Sequence, residues 1–376
     1  MFLDREIHAT LRRRLEEGGK VLLLFGARQV GKTTLARRLL GELPYKALEL
    51  TGDDAVAAGV LASRDAERLD GLVSGYGLLF LDEAQRIPDV GLALKLIHDR
   101  HPDLRMLVSG SSALDLASRT REALTGRTWS FHLHPFSYRE CLALRTPFEQ
   151  DRRLEQDLVY GLYPEVQLFE GDADRAEYLR ELHAAYLFKD LMELGGLRHP
   201  RKLVDLVRLL AYQVGSEVSF TELGTALGMS KDTVATYVDL LEKAFIVFRL
   251  QGFSRNLRSE VTRNEKVFFC DLGVRNVAVA DFRPFSVRQD QGALWENFLL
   301  AERRKRMAPG VEGRFWRLHS GAEVDYVEVD AESLRAYEFK LSPKARAKAP
   351  ARWSEAYPEA SWQRVDRSNY MSFVTA

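Results

Sequence analysis

The stretch VLLLFGARQVGKTTLARRLL, residues 21 to 40, constrains this chain more than any other. Val21 to Phe25 are apolar without a break, which suits a short strand buried on both faces. Leu35, Ala36, Leu39 and Leu40 then recur at helical spacing. Between them lie Gly26, Ala27, Arg28, Gln29, Val30, Gly31, Lys32, Thr33 and Thr34, which fit G-x-x-x-x-G-K-[ST]. Each residue type has its own task. The glycines let the backbone turn sharply and bring N–H groups onto phosphate oxygens. The helix start adds positive dipole. Lys32 is a point charge for the outer phosphates, and Thr33 offers a hydroxyl to Mg²⁺. The expected cofactors are ATP and Mg²⁺.

Such a loop needs a carboxylate on a neighbouring strand to hold the metal. GLLFLDEAQRIP supplies it: Leu78 to Leu81 read as a buried strand with Asp82 at its end. Asp82 is the expected metal holder with Thr33, and Glu83 the group that polarises attacking water. A third apolar segment, LRMLVSGSS, ends in Ser109 and Ser111. Either could sit between the two carboxylates and the γ-phosphate, or the segment could be a plain turn.

FGARQVGKTTL, LFLDEAQRI, LVSGSSALDL and LTGRTWSFHLHPFSYREC, in that order, resemble the AAA+-like bacterial and archaeal ATPases that carry a C-terminal domain of unknown function. YGLYPEV and YLFKDLMELG extend the likeness along nearly the whole chain. The resemblance implies a P-loop NTPase αβα sandwich and a homo-oligomer; a hexameric ring is one form this could take. It also implies an arginine that enters the neighbouring copy's site, with Arg127 in TGRT the first candidate and Arg119 and Arg121 its rivals.

Residues 201 to 250 read as a helix followed by a helix-turn-helix. Ser230 is placed to cap a helix over Lys231 to Lys243, with Val234, Tyr237, Leu240 and Leu241 facing inward. FIVFRL and KVFFCDLG make a hairpin, completing a winged helix. The exposed face of the second helix carries Lys231, Lys243, Asp232, Asp239 and Glu242, a poor charge balance for a groove reader. The wing, with Arg255, Arg258, Arg263 and Lys266, suits phosphate better. A packing role between domains is the competing expectation.

Near the C-terminus, GALWENFLLAERRKR is a helix holding Glu296, and three strands follow. Asp325 lies on the second, Glu338 and Lys340 on the third, two apart and so on one face. Carboxylates at Glu296, Asp325 and Glu338 with Lys340 resemble the PD-(D/E)xK, restriction-endonuclease-like superfamily. That implies a mixed α/β domain with a Mg²⁺ site and Lys340 beside its water. Cleavage, DNA binding without cleavage, and a salt-bridged surface sheet all stay open. Arg303, Arg304, Lys305 and Arg306, with Lys344, Arg346 and Lys348, add nearby positive charge of the kind found on a solvated helix face.

The expected organisation is an α/β ATPase domain over 1–150, a helical bridge over 151–200, a winged helix over 201–280 and the nuclease-like domain over 281–376. Lys plus Arg equals Asp plus Glu at 54 each, so any DNA surface must be a local patch. Cys141 and Cys270 cannot form a disulfide framework, and neither a signal peptide nor a membrane span is visible. A cytoplasmic setting follows as the expectation. Three functions fit: an ATPase that remodels or translocates DNA, branched or junction DNA included; a nucleotide-regulated nuclease; and an ATP-dependent assembly switch without DNA.

Overall fold

The apolar run at Val21–Phe25 becomes strand β1, with every residue buried. Ala47–Thr51 (β2), Leu78–Asp82 (β3), Arg105–Gly110 (β4) and Thr128–His132 (β5) complete a five-stranded sheet in the order β2-β3-β4-β1-β5. Every pairing in it is parallel. β3 and β4 are nearly as buried as β1, whereas the edge strands β2 and β5 are part-exposed, as expected of strands with one free side. The computed structural model describes residues 3–111, 124–185, 200–254, 265–318 and 320–376. Arg119, Arg121, Arg255, Arg258 and Arg263 lie outside them.

The strand order corrects one expectation. Asp82 was expected on a strand next to β1, but β4 lies between them. The chain leaves β1 for one edge of the sheet, returns through β3 and β4, and crosses to β5 on the other side. The carboxyl ends of β1 and β4 therefore border a point where connections diverge, the usual position of a ligand crevice in such sheets.

The described chain divides into two compact units, the first running to Phe136 and the second holding almost all of the rest. The second begins with the helices Tyr138–Leu142, Pro147–Tyr160 and Asp172–Ala185. A helix at Pro200–Tyr212 precedes the two-residue strand Glu217–Val218 (β6) and the helices Phe220–Leu227 and Lys231–Lys243. The turn between these helices closes with Gly228 at φ +60°, and the Ser230 hydroxyl accepts from the Thr233 amide at 3.1 Å. Val234, Tyr237, Leu240 and Leu241 are buried. Val247–Gly252 (β7) and Glu265–Phe269 (β8) form an antiparallel hairpin, and β6 adds to β8.

The helix Gln291–Lys305 leads to Glu312–Arg317 (β9), Glu323–Val329 (β10) and Leu334–Phe339 (β11). The helix Ala351–Ala356 and the strand Ser361–Val365 (β12) follow. β9, β10 and β11 are antiparallel neighbours, while β12 runs parallel to β11. β7 pairs with β9, so the hairpin and the C-terminal strands share one seven-stranded sheet. Among the described residues no helix is long and apolar enough to cross a membrane.

Candidate functional site

The phosphate-type loop leaves β1 at Gly26 and enters the helix Lys32–Glu42 through Gly31, whose φ of +94° suits glycine. Gly26 is fixed by contact: a Cβ there would lie 2.2 Å from the Leu133 carbonyl oxygen. Ala27 and Val30 point into the core, at 1% and 0% exposure, so they offer a ligand only their backbone. Arg28 is part-exposed, and Gln29 and Thr34 are exposed. The Lys32 ammonium is buried and donates to the Gly26 and Ala27 carbonyls, both at 2.9 Å.

Three strand ends converge on Asp82. The Thr33 hydroxyl donates to its Oδ2 at 2.6 Å, from the start of the helix after β1. The Ser109 hydroxyl, from the intervening strand β4, donates to its Oδ1. Ser111 instead serves Glu83: its hydroxyl donates to Glu83 Oε2 at 3.4 Å. Gln85 Nε2 bridges the two, donating to Glu83 Oε2 and, at 2.9 Å, to Ser111 Oγ. The Glu83 backbone is left-handed at φ +50°, an uncommon state for a non-glycine residue and one that clusters at functional sites. Hydroxyl and carboxylate oxygens beside a buried lysine suit a small divalent cation and the phosphates it bridges.

Arg127 stands elsewhere. Its carbonyl accepts from the Val21 amide at 2.9 Å, which places it where β1 begins, whereas the loop leaves where β1 ends. A five-residue strand separates them, roughly 15 Å. Its Nε contacts Asp99 at 3.0 Å.

The C-terminal carboxylates also meet. Lys340 falls one residue past the end of β11 rather than on it, and its Nζ still lies 2.6 Å from Glu338 Oε1. The Phe339 amide donates to Asp325 Oδ2 at 2.8 Å. Glu296 sits on its helix beside a cation that was expected in the wing: Lys266 is 2% exposed, 3.4 Å from Glu296 and 2.6 Å from Glu323. Burial pushes Glu296 up to about 7; the Asp325 carboxylate adds to the shift and Lys266 opposes it. Burial also raises Asp325 and, with help from Asp325, Glu338. For Lys266 burial works the other way, and the Glu296 and Glu323 carboxylates overcome it, raising the ammonium above its usual range. Among the described residues no three His, Cys, Asp or Glu side chains are arranged to hold a metal ion.

The expected basic patches shrink accordingly. Lys266 is buried among acids. Arg303 pairs with Glu328 at 2.5 Å, and Lys305 with Glu302 at 2.5 Å. Lys344, Arg346 and Lys348 do remain exposed, on an irregular segment where a helix face was expected. On the helix Lys231–Lys243, Asp239 and Glu242 are held by Arg249 of β7 at 2.8 and 2.6 Å. Its acidic excess is therefore partly neutralised from within.

Family models match three successive segments: an AAA domain over residues 18–142, a domain of unknown function (DUF8612) over 151–285, and another (DUF4143) over 291–370. The uncharacterized proteins Rv2008c of Mycobacterium tuberculosis and Mb2031c of Mycobacterium bovis are each 30% identical over 346 residues, covering 91% of this chain and 74% of theirs. The chain belongs to their family. Among solved structures, the Walker-type ATPase PABY2304 of Pyrococcus abyssi is similar with a TM-score of 0.51 at 19% identity, over 74% of this chain and 96% of that one. The N-terminal unit thus has the AAA-type ATPase fold, the fold of nucleotide-binding P-loop proteins.

Two supporting residues of this AAA-type site escaped the sequence. Arg5 donates to the Val30 carbonyl at 2.7 Å and to the His134 carbonyl at 2.5 Å, bracing the loop from the N-terminal segment. Nothing near Arg5 in sequence signals that reach. Gln85 was visible in DEAQR, and its spacing of two from Glu83 was the available clue. If Glu83 acts as the base, Gln85→Ala is expected to lower kcat for ATP about tenfold, because Glu83 loses a hydrogen bond that aligns it, while KM moves less than about threefold. Steady-state phosphate release separates the two parameters. A change in KM alone would assign Gln85 to substrate binding.

Proposed function

We propose that the chain is an ATP-hydrolysing AAA-type ATPase that acts on DNA. The contact between Thr33 and Asp82, 2.6 Å apart across two different strand ends, carries the proposal. Thr33 and Asp82 would hold Mg²⁺, and the loop amides and Lys32 the phosphates of ATP. Mg²⁺ when bound supplies charge neutralisation on the phosphoryl oxygens. Glu83 takes a proton from the attacking water, and the Gln85 amide and Ser111 hydroxyl aim its carboxylate. Ser109 fixes the second oxygen of Asp82. Arg127, at the far end of β1, is out of reach of its own phosphates, which supports a role in the site of a neighbouring copy in a homo-oligomer.

The DNA reading draws on the second unit. The order helix, β6, helix, turn, helix and hairpin, with β6 on β8, supports a winged helix. The order helix, β9, β10, β11, helix, β12 supports a nuclease-like fold used to hold DNA, branched DNA included. Lys344, Arg346 and Lys348 are its exposed cations for phosphate. The test is a gel-shift panel of duplex, fork and four-way junction with and without ATP, at two salt concentrations. We expect binding that weakens with salt and responds to ATP, and a response that disappears in Lys32→Ala. Absence of salt-sensitive binding to every shape would leave an ATP-controlled assembly switch instead.

A further inference from the structure

Helix Gln291–Lys305, β8, β10 and β11 bring an acidic cluster together beside the buried cation Lys266. Glu296, Glu323, Asp325 and Glu338 are four carboxylates, and a nuclease-type site of this layout would bind its metal between them. Each already has a donor. Lys266 Nζ lies 2.6 Å from Glu323 and 3.4 Å from Glu296. Arg317 reaches the other Glu323 oxygen at 3.8 Å. The Phe339 amide holds Asp325 at 2.8 Å, and Lys340 holds Glu338 at 2.6 Å. An ammonium that is 2% exposed must be paired, and these carboxylates are its partners. The ring of Phe315 also lies 5.3 Å from this ammonium, which favours a cation.

A divalent ion fits such a cluster only when carboxylate oxygens are turned toward a common centre. Here Glu296 and Glu323 turn toward Lys266, Glu338 turns toward Lys340 and Asp325 toward a backbone amide, and no three of them form a cage among the described residues. A metal and the Lys266 ammonium would compete for the same oxygens of Glu296 and Glu323 at close range, where two positive charges repel strongly. We propose that the Lys266 ammonium is the resident cation of this cluster, standing where a nuclease would carry its metal, so that the chain binds no divalent ion there. The cluster then ties the hairpin strand β8 to β10 and to the helix Gln291–Lys305 in a metal-independent way. The inference holds whatever the ATPase acts on, since it concerns only the second unit.

Manganese binding to the full chain without nucleotide, followed by the paramagnetic resonance of the free ion, tests it. The unmodified protein and Asp325→Asn should bind Mn²⁺ identically, since any ion at the ATP site is common to both. Lys266→Ala should gain one ion per chain that the unmodified protein does not bind. Asp325→Asn in the Lys266→Ala background should abolish that gain, and Lys266→Arg, which keeps the charge, should gain nothing. Loss of an ion from the unmodified protein on Asp325→Asn would overturn the proposal. So would a folded Lys266→Ala that gains none. If Lys266→Ala does not fold, the comparison of the unmodified protein with Asp325→Asn decides alone, and Glu338→Gln repeats it at a second carboxylate.

Discussion

Glu83→Gln is expected to bind ATP within about threefold of the parent and to hydrolyse it about 10² to 10⁴ times more slowly. That factor corresponds to about 3–5 kcal/mol of lost transition-state stabilisation. The reason is local. Glu83 is part-exposed at the end of β3, with its Oε2 held by Gln85 and Ser111. An amide of the same shape keeps an acceptor for Gln85 but cannot take a proton. Asp82 keeps its contacts with Thr33 and Ser109, so the group proposed to hold the metal is untouched. Phosphate release under saturating ATP, beside a fluorescent-nucleotide titration, measures both quantities. Unchanged turnover would remove Glu83 from the chemistry and leave the loop as a nucleotide sensor. Loss of binding would show instead that the left-handed backbone at Glu83 had collapsed.

What the sequence could show divides along a physical line. The loop was legible because its information is contiguous: an apolar run, two glycines, Lys32, Thr33 and a helical period. The helix Lys231–Lys243 was legible for the same reason, with Ser230 as its cap and apolar residues at helical spacing. The meeting of Thr33 with Asp82 followed from what phosphate chemistry demands. The insertion of β4 between their strands did not, because strand order depends on crossovers that no local pattern encodes.

Charge was the least legible property. In sequence, Lys266 is one more cation in a basic wing. In the fold it faces Glu323 and Glu296, distant in sequence, and is almost wholly removed from water. Arg303 likewise looks solvated in a basic run and is paired with Glu328 from β10. Both pairings depend on which strands meet, so counting charges overstates the exposed positive surface. The hairpin and the C-terminal strands read as separate domains from their element order, and β7 and β9 pair directly so that the sheet continues across them. A domain boundary can be read from a linker, whereas a shared hydrogen-bond ladder leaves no mark in composition.

The second large effect concerns stability and pH. Asp157, in the helix Pro147–Tyr160, is 2% exposed and accepts from Gln150 Nε2 at 2.6 Å and Gln167 Nε2 at 3.0 Å. Burial pushes its carboxyl up to about 6 from 3.8; the two glutamine donors and the Arg153 and Arg145 charges only limit the rise. A folded-state value above the unfolded one means that the folded chain keeps the proton longer. The stability linked to this group is therefore complete below about pH 4 and falls as pH rises toward 6, by about 3 kcal/mol in all. Above 6 both states are ionised and the contribution is flat. Asp157→Asn removes the ionisation and keeps one acceptor for the glutamines, at a cost of about 1 kcal/mol for the lost bond. Relative to the parent it should therefore gain about 2 kcal/mol between pH 4 and pH 7. Urea unfolding of both proteins at those two pH values gives the difference directly. Parallel behaviour would mean that Asp157 ionises in the folded chain as easily as in the unfolded one, with the glutamine donors and the two arginines fully offsetting the loss of water.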